Sequence, residues 1–228
     1  MPSATRHRPN SASEASAKET KGLIGSGGWR YDLMEWVHDT FSFGGTYREL
    51  RQRVVSLAHV QPGEQVLDVG CGTGTLALEV ARHVGTAGRV AGIDPSPQQI
   101  SRARAKAARR LPTEFQIGVI EQLPFPDQTF DVVLSTIMMH HLPAPLKRQG
   151  LAEIARVLKP GGRMIIADFT HKQDRAGRAT RFHAGGSRMH ELAALVKDAG
   201  FDQLETEEMR PGRFSAFPGA GFVRAYKS

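Results

Sequence analysis

Short apolar runs alternate along this chain with stretches whose apolar residues recur every three or four positions, the pattern of strands alternating with helices. Val66-Leu-Asp-Val69 is a short apolar run of the kind a fully buried parallel strand needs, and Thr75 to Val84 then resumes at helical spacing. Gly88 to Asp94 reads as a second buried strand ending in an acid. Pro97 opens a helix through Ala108, with Ser96 as N-cap and proline at the first helical position. Glu114 to Ile117 predicts the third strand and Phe130 to Ser135 the fourth. Leu146 to Leu158 is an amphipathic helix, Lys159-Pro-Gly-Gly162 has proline and glycine where a type II turn wants them, and Arg163 to Asp168 is the next strand. His190 to Ala199 predicts a helix ending at Gly200, and Phe201 to Met209 and Ser215 to Tyr226 read as closing strands. Ahead of all this, Tyr31 to Val37 and Tyr47 to Leu57 predict two helices separated by the breaker stretch Phe41 to Gly45. Such alternation implies a doubly wound α/β fold.

Composition limits the organisation to one domain. The chain has 228 residues with 40% hydrophobic, enough for one sizeable core, and no long linker divides it. Residues 1–28 carry almost no large apolar side chains, cannot offset the entropy of ordering, and read as a flexible tail ahead of a domain over 29–228. No secretory h-region and no run of about 18 apolar residues occurs. The single cysteine, Cys71, offers neither a disulfide framework nor a metal cluster, which suits a reducing cytoplasm. The formal charge of +7 raises the question of an anionic partner. One basic group, Arg102 to Arg110, reads as a solvated helix face; a second, Lys172 to Arg188, lies in a Gly-containing connection long enough for a lid and equally able to be a solvated loop.

The chemistry concentrates in Val66-Leu-Asp-Val-Gly-Cys-Gly-Thr-Gly74. Glycines at every second position let the backbone turn tightly between a strand and a helix N-terminus, a cradle with N–H groups facing a ligand. The dinucleotide fingerprint G-x-G-x-x-G would want its third glycine where Thr75 stands, but that glycine comes one residue early. Asp68, two residues before the loop, would repel a pyrophosphate and favour an ammonium or sulfonium. That combination points to S-adenosylmethionine (SAM) rather than NAD. Asp94, some 20 residues past the loop, stands where a carboxylate can reach ribose hydroxyls.

Val66 to Gly74 resembles the first motif of class I methyltransferases, and from about Tyr31 onward the chain is similar to the ubiquinone/menaquinone-biosynthesis methyltransferase group and its small-molecule relatives. The resemblance implies a Rossmann-like, seven-stranded, mostly parallel sheet with an antiparallel C-terminal strand and N-terminal helices over the site. It assigns SAM to Asp68, Gly70, Cys71, Gly72, Thr73, Gly74, Asp94, Pro95, Gln99, Val119, Ile120 and Ser135. Val119 departs from the pattern, because relatives often carry an aspartate there to accept from the adenine amino group and valine cannot. Leu158 to Gly162 matches a turn typical of the family, which is architectural.

Substrate should meet cofactor at Ser135 to His141, the carboxyl end of the fourth strand. The Asn/Asp-Pro-Pro-Tyr type of tetrapeptide that marks amide and exocyclic-amine methyltransferases is absent, which favours the small-molecule branch. His140 and His141 are candidate bases, cofactor-packing side chains or, least of all, ligands; adjacent histidines point apart and no Cys/Asp/Glu cluster accompanies them, so no metal is expected. Tyr31 is a third catalytic candidate, and Asp168 a weaker one for orienting substrate. The expected reaction is in-line methyl transfer from SAM to a small aromatic, quinol-like or lipidic metabolite, with O-, N- and C-methylation left open. Competing readings are a nicotinamide-dependent oxidoreductase and a SAM-binding protein without transfer activity. The expected partner is thus a small acceptor rather than a specific nucleic acid, in a cytoplasmic monomer or homodimer that could touch a membrane surface.

Overall fold

The computed structural model describes residues 46–107, 111–170, 189–209 and 219–228. Within them helix α1 spans Thr46–Ala58, followed by β1 (Gln65–Val69), α2 (Thr75–Val84), β2 (Arg89–Asp94), α3 (Pro97–Lys106), β3 (Thr113–Ile117) and β4 (Phe130–Thr136). A 3-10 turn over Met139–His141 leads to α4 (Ala144–Val157), β5 (Leu158–Phe169), α5 (Met189–Asp198), β6 (Phe201–Met209) and β7 (Ala220–Lys227). The tail at 1–28, the helix expected at Tyr31–Val37, the breaker at Phe41–Gly45 and the basic connection through Arg188 fall outside the described residues.

The seven strands form one sheet in the order β3-β2-β1-β4-β5-β7-β6, with β7 antiparallel to both its neighbours and the other pairs parallel. Strand order therefore reverses between β1 and β4, and a doubly wound sheet opens a crevice at the carboxyl ends of the strands there. Side chains alternate across the sheet. Val66, Val132, Leu134, Ile165 and Ala167 meet α1, α2 and α3 through Leu50, Val54, Val80 and Ile100. Leu67, Val69, Val133, Met164 and Ile166 meet α4 and α5 through Leu151, Ile154, Leu192 and Val196. Both layers are buried, which is why the central strands read as apolar runs.

Two expectations need correction. The Lys159–Gly162 segment does not separate helix from strand. It lies inside β5, whose register on β4 jumps from Phe130↔Leu158 to Val132↔Arg163, so the extra residues bulge out with Gly161 in the left-handed region at φ 73°. Helix α3 ends at Lys106, not Ala108, its Ala107 cap closing on the Ala103 carbonyl. At the far end of the sheet from the crevice, Arg163 donates to the carbonyls of Ala58 and His59 and pairs with Glu64, fixing the end of α1.

Candidate active site

The crevice is built by three strand ends. From β1, Gly70 and Cys71 both donate their backbone N–H to the Ile93 carbonyl at 2.9 Å, closing the glycine loop onto β2. Gly72 has φ 53° and nothing within 4 Å of where a Cβ would stand, so its bare backbone faces open space. Its N–H donates to Asp94 Oδ2 at 3.0 Å, while Ser96 N–H donates to Oδ1 at 2.9 Å. Ser96 also caps α3 by accepting from Gln99 N–H. Asp94, Pro95 and the cap thus form one turn beside the loop, and Gly118 N–H donates to the Asp94 carbonyl, bringing Val119 and Ile120 to the same edge.

The acids are poised but unneutralised. Asp68 is 1% exposed, and neither carboxylate oxygen finds a hydrogen-bond partner in ordinary geometry. Burial first, and then the Asp94 charge, push its carboxyl up to about 7, the Ala77 backbone N–H pulling more weakly the other way. Burial raises Asp94 as well, opposed by the Ser96 and Gly72 N–H groups. Gln99 Oε1 and Ser135 Oγ are likewise buried without a partner. A buried carboxylate lacking a counter-charge is costly, so this arrangement fits a ligand that brings a cation to Asp68 and donors to the neighbouring acceptors. Burial and the two carboxylates push the Cys71 thiol well up, and its small side chain lies under Gly92. Thr73, 2% exposed, accepts from Lys106 Nζ at 2.6 Å, which ties the loop to the end of α3.

On the β4 side the chain makes a sharp turn. Ile137 has φ 51°, a left-handed conformation that is strained for a β-branched residue, and its N–H donates to the Ala167 carbonyl of β5 at 2.7 Å. Met138 lands against Gly70, so closely that a Cβ there would meet its Cγ at 2.7 Å. The 3-10 turn then delivers His140 to Asp168, which is fully buried at the end of β5, with Nδ1 to Oδ1 at 2.6 Å. The Phe169 N–H also donates to that oxygen at 2.8 Å. The His140 ring is tilted against two others, with centroids 5.4 Å from Phe169 and 3.9 Å from His141, and Phe169 in turn meets Tyr47 of α1 edge-on at 6.4 Å. Burial first and then the charge of His140 lower the exposed His141, opposed by the Asp168 charge.

Asp68, Gly70, Gly72, Asp94, Pro95, Gln99, Val119, Ile120 and Ser135 thus gather around one crevice. His140 and His141 sit at its β4 side, and Tyr31 lies outside the described residues. Sequence reasoning missed the pairing of Asp168 with His140 and the place of Tyr47. Each sits at an element's end, a weak signal for Asp168 and none for Tyr47, which looks like any first apolar residue of a helix.

Comparison with known proteins gives a consistent picture. Residues 66–162 match the family model described as Methyltransferase domain. The chain is 31% identical over 229 residues to the ubiquinone/menaquinone biosynthesis C-methyltransferase UbiE of Hydrogenovibrio crunogenus, covering 87% of this chain and 88% of that one. It is 35% identical over 159 residues to an arsenite methyltransferase of Halobacterium salinarum, covering 66% of this chain but 40% of that protein's length. Among solved structures, a SAM-dependent methyltransferase from Aquifex aeolicus superposes with a TM-score of 0.68 at 21% identity over 88% of this chain and 98% of its own. The [4+2]-cyclase SpnF does so at 0.65 and 25%, over 78% of this chain and 80% of its own.

Proposed function

Because this chain belongs to the class I SAM-dependent methyltransferases and is similar to the UbiE group, we propose that it methylates a small aromatic, quinol-like or lipidic metabolite. SAM, when bound, supplies an electrophilic methyl group on a sulfonium. In this reading the Asp68 carboxylate receives the ammonium of the methionine moiety, Asp94 the ribose hydroxyls, and Val119 and Ile120 pack against adenine, read by backbone because neither side chain can accept. The protein's remaining task is to hold the acceptor behind the methyl carbon with water excluded.

The observation that carries the substrate class is the apolar and aromatic run on the β4–β5 side of the glycine loop: Met138 on Gly70, Phe169 beside His140, and Tyr47 against Phe169. A polarisable, aromatic-lined surface suits a planar apolar acceptor. The arsenite methyltransferase likeness does not extend to its substrate. Soft metalloids are held by thiolates, and this chain carries one cysteine, buried and with its thiol well up. The small number of cysteines also fits the reducing cytoplasm proposed from the sequence.

Incubating the protein with methyl-labelled SAM and a metabolite extract, followed by mass spectrometry, should place the label in a small aromatic or quinol-like compound. Label confined to RNA or protein would overturn the substrate class. The SpnF likeness matters here, since a fold of this kind also carries the name of a cyclase. Binding of S-adenosylhomocysteine with no transfer to any acceptor would favour that second reading, a SAM-binding protein that does not methylate. Tighter calorimetric binding of NADH than of S-adenosylhomocysteine would reject both.

A further inference from the structure

We infer that Gln99 reads the base of the methyl donor: its side-chain oxygen accepts from the 6-amino group of adenine, and the crevice thereby selects a purine that carries that group. The inference rests on the SAM placement proposed above and deepens it to the side chain that recognises the base.

Gln99 lies in the first turn of α3, is 5% exposed, and encloses its Oε1 without a hydrogen-bond partner. Native interiors rarely leave an acceptor in that state, so a donor from outside the protein is called for. Asp68 is in the same position with both its oxygens, and Asp94, which takes one N–H on each oxygen, has lone pairs to spare. SAM carries three kinds of hydrogen-bond donor: the methionine ammonium, the ribose hydroxyls and the adenine 6-amino group. Asp68 receives the first and Asp94 the second, which leaves the amino group for Gln99. Ser135 Oγ, also unpartnered, lies outside this matching, because a hydroxyl can donate and is satisfied by an acceptor such as the methionine carboxylate.

Position agrees with the matching. A ribose held at Asp94, with its sulfonium end at the glycine loop, turns the base away from that loop and towards the two segments that flank the acid. On one flank Gln99 is anchored, its N–H donating to Ser96 Oγ while the Ser96 N–H donates to Asp94 Oδ1. On the other, the Gly118 N–H holds the segment of Val119 and Ile120 to the Asp94 carbonyl. Neither of those two side chains can accept. The Val119 carbonyl already receives the Gln122 N–H at 3.3 Å, and the Ile120 side chain is turned to α4, where a Cβ on Gly150 would meet it at 2.6 Å. Main-chain N–H groups there can serve the ring nitrogens, which accept; the amino group needs the opposite kind of partner, and Gln99 supplies it.

Calorimetric titration of the full chain with S-adenosylhomocysteine and with its 6-deamino analogue, in which purine replaces adenine, tests this. Loss of the amino group should weaken binding to the wild type on the order of tenfold or more, because it leaves Oε1 enclosed and unpaired. Gln99→Met keeps the length and the apolar stem but has no oxygen, so it should bind the two ligands within about twofold of each other. Gln99→Glu restores an acceptor and should restore the preference. Without ligand, Gln99→Met should melt at or above the wild type, since it removes an orphaned acceptor. A glutamine with a merely structural role would melt lower when replaced and would leave the preference untouched. Equal binding of the two ligands by the wild type, or wild-type discrimination in Gln99→Met, overturns the inference. The two levels fail separately: S-adenosylhomocysteine bound with a preference indifferent to residue 99 removes only the role of Gln99, whereas no binding of either ligand removes the SAM placement and the role of Gln99 with it.

Discussion

Asp68 is a buried carboxyl pushed up by burial and by Asp94, and this couples cofactor binding to pH. Its folded-state value of about 7 lies above the ordinary 3.8, so the folded protein binds more protons than the unfolded chain between those limits. Stability from this group is present below about pH 4 and is lost as pH rises towards 7, at up to about 1.4 kcal/mol per pH unit. Asp94, raised in the same direction, adds to the trend. A ligand ammonium paired with ionised Asp68 reverses the loss. The rise in melting temperature given by S-adenosylhomocysteine should therefore be larger at pH 8 than at pH 5.5, by differential scanning fluorimetry. Asp68→Asn should be more stable than wild type without ligand at pH 8, yet bind S-adenosylhomocysteine on the order of tenfold to a hundredfold more weakly, the value of one charge-assisted hydrogen bond. Equal ligand-induced shifts at the two pH values would dismiss the coupling. Asp68 and Asp94 were legible in the sequence because a βαβ unit turns a fixed sequence interval into spatial adjacency. The His140 contact with Asp168 spans 28 residues and depends on how β4 and β5 register, which no local spacing encodes.

At the scale of elements, the loop over 118–127 is the least regular part of the crevice and the one held most deliberately. Arg156 on α4 gives all five guanidinium N–H groups to it or to its partners: the carbonyls of Leu123 and Phe125, Asp127, and both oxygens of Glu153. Glu153 in turn accepts from the Leu123 N–H at 2.8 Å. A lysine cannot reproduce this fork. Arg156→Lys should cost about 1–3 kcal/mol in chemical denaturation and weaken S-adenosylhomocysteine several-fold while kcat at saturating SAM is retained. A drop in kcat with unchanged affinity would show that the loop serves the acceptor, not adenine. The strands and helices themselves were readable, α2 and β6 with both ends, since buried runs and helical spacing are set locally. The Lys159–Gly162 stretch was not, because turn chemistry and a strand bulge ask for the same glycine and only the β4 partner separates them.

For the molecule as a whole, a net charge of +7 and a pI of about 9.9 predict attraction to any polyanion, and that attraction could be mistaken for function. Many of the described cations are already engaged: Arg53 with Glu207, Arg89 with Glu114, Lys159 with Asp131, Arg163 with Glu64 and Arg224 with Glu205. None of these pairs involves a residue of the glycine loop, and the carboxyls beside that loop are Asp68 and Asp94. Among the described residues a polyphosphate backbone would therefore meet its cations on the protein's outside. Contacts of that outer kind release counterions and lose affinity by orders of magnitude between about 50 and 200 mM salt, whereas a charge pair enclosed with Asp68 is screened much less. Filter retention of RNA should accordingly collapse over that range while S-adenosylhomocysteine affinity and turnover of a small acceptor change little. Methyl label in RNA that persists at 200 mM salt would mean that the basic surface guides substrate, and would count against a small-molecule acceptor.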